Sequence, residues 1–433
     1  MTRPPLAVLF LPACFVAEVV LGGPRGVYGG VSLRFVLLGA ASAVLLFALL
    51  LRGRVTGPHL RPMLSILGFL VLNGIWIAIV PVLTGTNMHW ALREPHAFIV
   101  LIPVLLILAL LRPEELDWTV LRLQRLVVAT ALILAVFQIG LWVVGTVVGD
   151  SQWMVSLALG LIYPGAGDDL KVGAAPDGFF RVFWISTLWC LLSFFWVPVA
   201  VRRTGYQWLC RGVLLLDLFV AYSRGIWVGL LAGLLLGSVA TVRLRTMGHA
   251  LLRSAVAGGL ALAVLIGLAT ATGELQRGLA RVTSTTSTTD ESIGARFEQA
   301  HYLLQLWYEH PFVGSGYGAF VPGHIRSQEA PYSYEHMPLA LLAKLGLTGV
   351  LLSGGFFAGW ALAAWRGRRA APTQAAAFLG SCTALLVAEM TNPLVLNFVS
   401  MSIFACLLLQ WTTLVMGAPN LDGNRRLLEG RPV

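Results

Sequence analysis

Ala221-Tyr222-Ser223-Arg224-Gly225-Ile226-Trp227-Val228-Gly229-Leu230-Leu231-Ala232-Gly233-Leu234-Leu235-Leu236-Gly237 decides what kind of chain this is. Apolar stretches flank Arg224 on both sides, and no acid lies within six residues of it. A charge at the centre of a bilayer costs roughly 2.5–3.5 kcal/mol on insertion scales. An arginine in this setting therefore needs a partner, and the rest of the chain has to supply it or bring it.

The surroundings extend the pattern. Of 433 residues, 57% are hydrophobic and 12% charged. A soluble domain of this size would carry about 25% charge. Mean hydropathy is +0.80. These values point to an all-α polytopic membrane protein with one integral membrane domain over 1–433. Cys14, Cys190, Cys210, Cys382 and Cys406 all fall inside apolar runs. They read as small buried hydrophobes rather than a disulfide framework or a metal site. The first apolar run follows Arg3 and resembles a signal peptide, but so many spans follow that it reads as a retained first helix.

A crossing helix needs about 20 apolar residues. About twelve spans are expected, near 6–21, 33–51, 62–83, 95–111, 123–148, 182–201, 207–222, 225–242, 250–272, 337–364, 374–391 and 395–416. With both termini in the cytoplasm, short cytoplasmic segments hold 19 of the 30 basic residues, among them Arg52, Arg54, Arg61, Arg202, Arg203, Arg243 and Arg366. Every even-numbered connection is then basic, as the positive-inside rule requires. This accounts for most of the net charge of +10 and removes the case for nucleic acid as a partner. The remaining basic residues face outward: Arg25, Arg34, Arg93, Lys171, Arg181, Arg224, Arg277, Arg281, Arg296, Arg326 and Lys344. Topology does not ask for them, and anion binding would explain them.

Two outer connections are long. Residues 149–181 hold an apolar stretch, Trp153 to Tyr163, too short to span and suited to the interface; Arg181 begins the next span. Residues 273–336 form a larger loop. After a Ser/Thr-rich run, Asp290-Glu291-Ser292 reads as a helix start. Phe297, Ala300, Leu304 and Trp307 then share a face at helical spacing, with Arg296 in the first turn. The spacing predicts an amphipathic helix on the outer leaflet or covering the bundle. His310-Pro311-Phe312-Val313-Gly314-Ser315-Gly316-Tyr317-Gly318-Ala319-Phe320 follows. Its alternating glycines could cradle phosphate through N–H groups or form a flexible turn. No strand precedes them, so this is not a dinucleotide fingerprint. Tyr332-Ser333-Tyr334-Glu335-His336-Met337-Pro338-Leu339 leads into the tenth span, with Pro338 suited to a first turn.

Three features in this order resemble the O-antigen ligase and O-antigen polymerase superfamily. They are Ser223-Arg224-Gly225 opening a span; Arg296, Trp307 and the 310–320 glycine run; and His336 before a span carrying Leu345-Gly346-Leu347-Thr348-Gly349. The motif-bearing part runs from about 210 to 350. Relatives commonly have asparagine where Met337 stands and often an acid in place of Lys344, so neither residue takes a family role. The resemblance implies inverting, metal-independent glycosyl transfer on the periplasmic face of the bacterial inner membrane, in lipopolysaccharide biosynthesis. Its donor would be O-antigen on undecaprenyl diphosphate. Its acceptor in the ligase branch would be a sugar hydroxyl of lipid A–core; in the polymerase branch it would be a second lipid-linked glycan.

The residues suit that chemistry. Arginine is always protonated and offers a planar fork to phosphate. A charge-assisted hydrogen bond nets roughly 1.5–3 kcal/mol, so two or three exceed the insertion cost of Arg224. Arg224 and Arg296, with Arg181, are the expected diphosphate ligands. His336 is the expected base, with His301, His310 and His324 as competitors. Glu335 and Glu389 could act as bases or orient the imidazole, and Tyr317 and Tyr334 could contact or orient substrate. No Asp-x-Asp lies on the outer side, so no cofactor or metal is expected. Asp217 lies about 10 Å from Arg224 along the helix, too far for a direct pair, and reads as a structural hydrogen-bonding residue. A transporter would need polar residues through the middle of the spans, which are mostly apolar here.

Overall fold

The computed structural model describes residues 27–28, 31–52, 59–148, 170–174, 179–241, 291–325, 328, 330–390 and 396–416. Strands β1 (Val27–Tyr28) and β2 (Val31–Ser32) pair ahead of α1 (Leu33–Arg52). Then come α2 (Leu60–Ala78), α3 (Val80–Thr84) and α4 (Met88–Arg93). A 3-10 segment, Glu94–Val100, leads into α5 (Leu101–Leu110) and α6 (Pro113–Val148). Strands β3 (Leu170–Ala174) and β4 (Phe180–Trp184) form an antiparallel hairpin. Beyond it lie α7 (Thr187–Ala200), α8 (Thr204–Val220), α9 (Arg224–Thr241), α10 (Glu291–Glu309), α11 (Met337–Gly367), α12 (Pro372–Glu389) and α13 (Phe398–Val415).

The chain is a multi-pass membrane protein. Among the described residues seven helical stretches are long and apolar enough to cross a bilayer, from Phe35–Arg52 to Phe398–Val415. Leu50, Leu51, Val82, Leu83, Ile133 and Leu235 point outward from them. On a soluble protein so large an apolar surface would aggregate; against lipid it is the stable arrangement. Ten of the twelve expected spans coincide with described helices. Spans 6–21 and 250–272, the interfacial stretch 153–163 and the Ser/Thr-rich run lie outside the described residues.

The chain is mostly helical, consistent with a polytopic all-α membrane protein, and carries two small hairpins besides. One expectation is corrected. The sixth span does not begin at Arg181 or Val182: these belong to β4, and the helix starts at Thr187. Phe180, Val182 and Trp184 are buried while Arg181 and Phe183 alternate with them. That period of two belongs to a strand with one face on a core.

Small residues and side-chain amides hold the bundle together. Gly229, Gly233 and Gly237 of α9 lie against Ala384 and Ala388, Gly380, and Ala376 of α12. A Cβ at Gly229 or Gly233 would collide with α12 backbone, so the two backbones approach as only small residues allow. Gln410 donates to Gln374 Oε1 at 2.9 Å and accepts from Trp196 Nε1 at 2.9 Å, joining α13, α12 and α7. Asp217 is fully buried, and the Gln138 amide nitrogen, turned toward it, donates to its carboxylate. It therefore ties α8 to α6, the structural part expected of it.

Candidate active site

Short turns bring the singled-out residues to one end of the bundle. The turn at 201–203 joins α7 to α8, and that at 221–223 joins α8 to α9. Such short links make neighbours run antiparallel, so the start of α7, the end of α8 and the start of α9 lie together. Residues 368–371 likewise join α11 to α12, placing the start of α11 with the end of α12. The α9–α12 register is antiparallel, since Gly229 faces Ala388 and Gly237 faces Ala376. Arg181, Arg224, Glu389 and His336 thus share one end.

The arginine side is built around a strained turn. Tyr222 has φ of +52°, a region that bulky residues enter at a cost of about 1–2 kcal/mol. Its ring stacks on Phe179 at 3.9 Å and 6°. Phe179 stands two residues before Arg181, and Tyr222 two before Arg224. The stack therefore locks the arginine-bearing strand to the arginine-bearing helix. Trp227, one turn into α9, donates Nε1 to Leu218 O at 2.9 Å and packs edge-on against Tyr222. Both arginines are half-buried. Glu389, the last residue of α12, is buried, and its Oε1 has no hydrogen-bond partner among the described residues. It follows Ala388, which packs on Gly229, about one turn beyond Arg224.

The histidine side rests on a broken helix. Gly346 interrupts α11 with φ +61° and ψ −178°, a conformation open essentially to glycine alone. The glycine run fills the break. Ser315 N donates to Ala343 O at 2.9 Å and Gly316 N to Lys344 O at 2.8 Å. In return Leu347 N reaches Pro311 O at 2.9 Å and Thr348 N reaches Phe312 O at 3.0 Å. Gly314 N goes to His310 O at 2.8 Å, and Gly318 N to Glu94 Oε2 at 2.6 Å. All three glycine amides are committed to protein acceptors. The run is neither a phosphate cradle nor a flexible turn; it is the splice of a discontinuous helix. Tyr317 anchors it by donating its hydroxyl to Asn73 Oδ1 at 2.8 Å. Tyr334 Oη accepts from Val321 N at 2.7 Å. Burial pushes both phenols above their ordinary pKa, with the Glu94 charge adding to it, so they stay neutral.

His336 caps the first segment of α11 and is half-buried. Glu335 N donates to Gln299 Oε1 of α10 at 3.1 Å. Arg296 is on α10 three residues before Gln299, so the turn that carries it adjoins the entry to His336. The expected amphipathic helix exists, but its packed face is turned. Leu303 is buried against Tyr334, Ala340 and Ala343, with Leu306 and Trp307 beside it, while Phe297 is 71% exposed. α10 covers the start of α11. Of the competing histidines, His301 is exposed, while His324 is half-buried, lies 3.6 Å from Glu298 Oε1 and stacks on Tyr302.

Glu94 is the residue that sequence reasoning missed. It is 6% exposed and pairs with Lys344, 1% exposed, at 2.5 Å. Lys344 Nζ also donates to Tyr332 O at 2.7 Å. The partners are 250 residues apart, so no local pattern links them. An acid within a run entering the membrane, Arg93-Glu94-Pro95, was the available signal. Beside it Arg93 stands over the Trp90 ring, which packs on Tyr332. Burial, with the Glu94 charge second, pushes the Tyr332 phenol up to about 12.

No curated protein matches the chain closely enough to be compared. Residues 212–354, which carry Arg224, α10, the glycine splice, His336 and the helix break, match the family model described as O-antigen ligase, so this segment is similar to the O-antigen ligase superfamily.

Proposed function

We propose that the protein transfers O-antigen from undecaprenyl diphosphate to a sugar hydroxyl of lipid A–core, at the periplasmic face of the inner membrane. The observation that carries this reading is the aromatic lock between Phe179 and Tyr222, which fixes Arg181 and Arg224 to one turn at the end of the bundle. A helix N-terminus adds its positive dipole end to the arginine there. Together they suit a diphosphate whose lipid tail stays in the bilayer. Arg296 completes the set from α10.

In the reaction the acceptor oxygen attacks the anomeric carbon as the bond from that carbon to the diphosphate oxygen breaks. His336 takes the hydroxyl proton, which is worth about 10²–10⁴-fold in rate. The bonding electrons leave on the diphosphate, where the guanidinium groups stabilise the growing charge. Attack opposite the leaving group inverts the anomeric centre. With arginines supplying the countercharge, the transfer is metal-independent. Glu389 would orient an arginine, Tyr317 anchors the glycine splice, and Tyr334 packs with the first turns of the helix that His336 precedes.

The test uses purified protein in detergent with EDTA, given undecaprenyl-diphosphate-linked glycan with or without lipid A–core. Glycan attached to lipid A–core only when that acceptor is present is the expected result. Longer lipid-linked chains without it would instead mean a polymerase. No product with an active donor would overturn both.

A further inference from the structure

The first segment of α11, residues 337–345, is a short helix cut off by the break at Gly346. Helices of this length have little stability of their own, so their direction is set by what holds them. Here the carbonyls at the broken end are taken by Ser315 N and Gly316 N. The Lys344 side chain leans toward the helix start, as helical side chains do, and reaches the Tyr332 carbonyl on the strand of chain that enters at His336. Its ammonium is closed by Glu94, whose other oxygen takes Gly318 N. One carboxylate from the 3-10 segment thus ties the helix segment, its entry and the glycine splice.

We propose that Glu94, through Lys344, is a positioning residue for His336. This rests on His336 being the base. The pair touches no reacting atom; it fixes the direction in which the segment presents the imidazole to the acceptor. A displacement near 1 Å at a reacting group can cost about 100-fold in rate, and the burial of the pair makes that direction stiff. A buried ammonium without its counter-charge destabilises the fold strongly, so Glu94→Gln alone confounds folding with function. The informative variant is Glu94→Gln/Lys344→Met, which removes both charges and keeps the volumes.

The full-length protein is assayed with undecaprenyl-diphosphate-linked O-antigen and lipid A–core, per folded molecule by size-exclusion. The expected result for the double variant is a kcat fall of about 10–100-fold, as for other groups that orient catalytic residues, with the donor KM within about twofold. Added to His336→Ala, the double substitution should cause no further fall, because the pair acts through the imidazole. A folded double variant with wild-type kcat would overturn the proposal while leaving His336 as base. A full additional fall in the triple variant would overturn it too, by showing that the pair acts elsewhere. Wild-type turnover in His336→Ala would end the base reading and this inference with it.

Discussion

Arg224 opens α9, a helix long and apolar enough to cross a bilayer, and an aromatic stack holds the turn before it. The turn before it holds Tyr222 at positive φ, and Phe179 keeps the ring there by close stacking. An aromatic pair adds about 0.5–1.5 kcal/mol beyond burial. We predict that Phe179→Leu raises the donor KM several-fold at little change in kcat, read from a donor titration; an unchanged KM would mean that the lock does not serve the arginines. Much of this was legible in the residues. Arg224 and His336 announce themselves as polar groups beside apolar runs. Arg181 was expected at a helix start, yet Phe180-Arg181-Val182-Phe183-Trp184 alternates as a strand does. Glu94 was illegible because its partner is 250 residues away, and only the folded chain pairs them.

At the scale of elements, the break in α11 is the feature on which the histidine side depends. Helix breakers inside membrane helices are tolerated where neighbours satisfy the freed backbone, and the glycine run supplies that satisfaction in both directions. A Cβ at Gly346 would strike the Phe312–Gly314 backbone, whereas one at Gly354 meets nothing within 4 Å. Gly346→Ala should therefore lose folded protein or melt several degrees lower, while Gly354→Ala, on the same helix, should be neutral or slightly stabilising. A thermal melt in detergent in which the two variants behaved alike would contradict the splice. The glycine spacing was plain in the sequence, but its purpose was not. Alternating glycines fit a phosphate cradle, a flexible turn or a tight dock equally well, and only the acceptors of their amides distinguish these. The same holds for α10. Its periodicity was readable, but its packed face follows from the position of α11, which left Phe297 outside and Leu303 inside.

Across the described residues, the chain places Arg181, Arg224, the broken helix and the buried ion pair at one end. Composition and basic-residue asymmetry already suffice for the membrane class, because both follow from the cost of charge in lipid. The orientation they imply is testable. A cysteine introduced at the exposed Glu309 should react with a membrane-impermeant maleimide added to spheroplasts, and one at the exposed Gly205 should react only after lysis. The opposite pattern would invert the proposed topology. We propose that two sides of one site divide the labour: arginines hold the donor diphosphate, and His336 takes the acceptor proton. Donor affinity and turnover, measured together on Arg224→Ala and His336→Ala, test it most directly. Arg224→Ala should lose donor binding, whereas His336→Ala should bind donor as the unaltered protein does and transfer about 10²–10⁴-fold more slowly. Tight donor binding by Arg224→Ala, or undiminished transfer by His336→Ala, would contradict it.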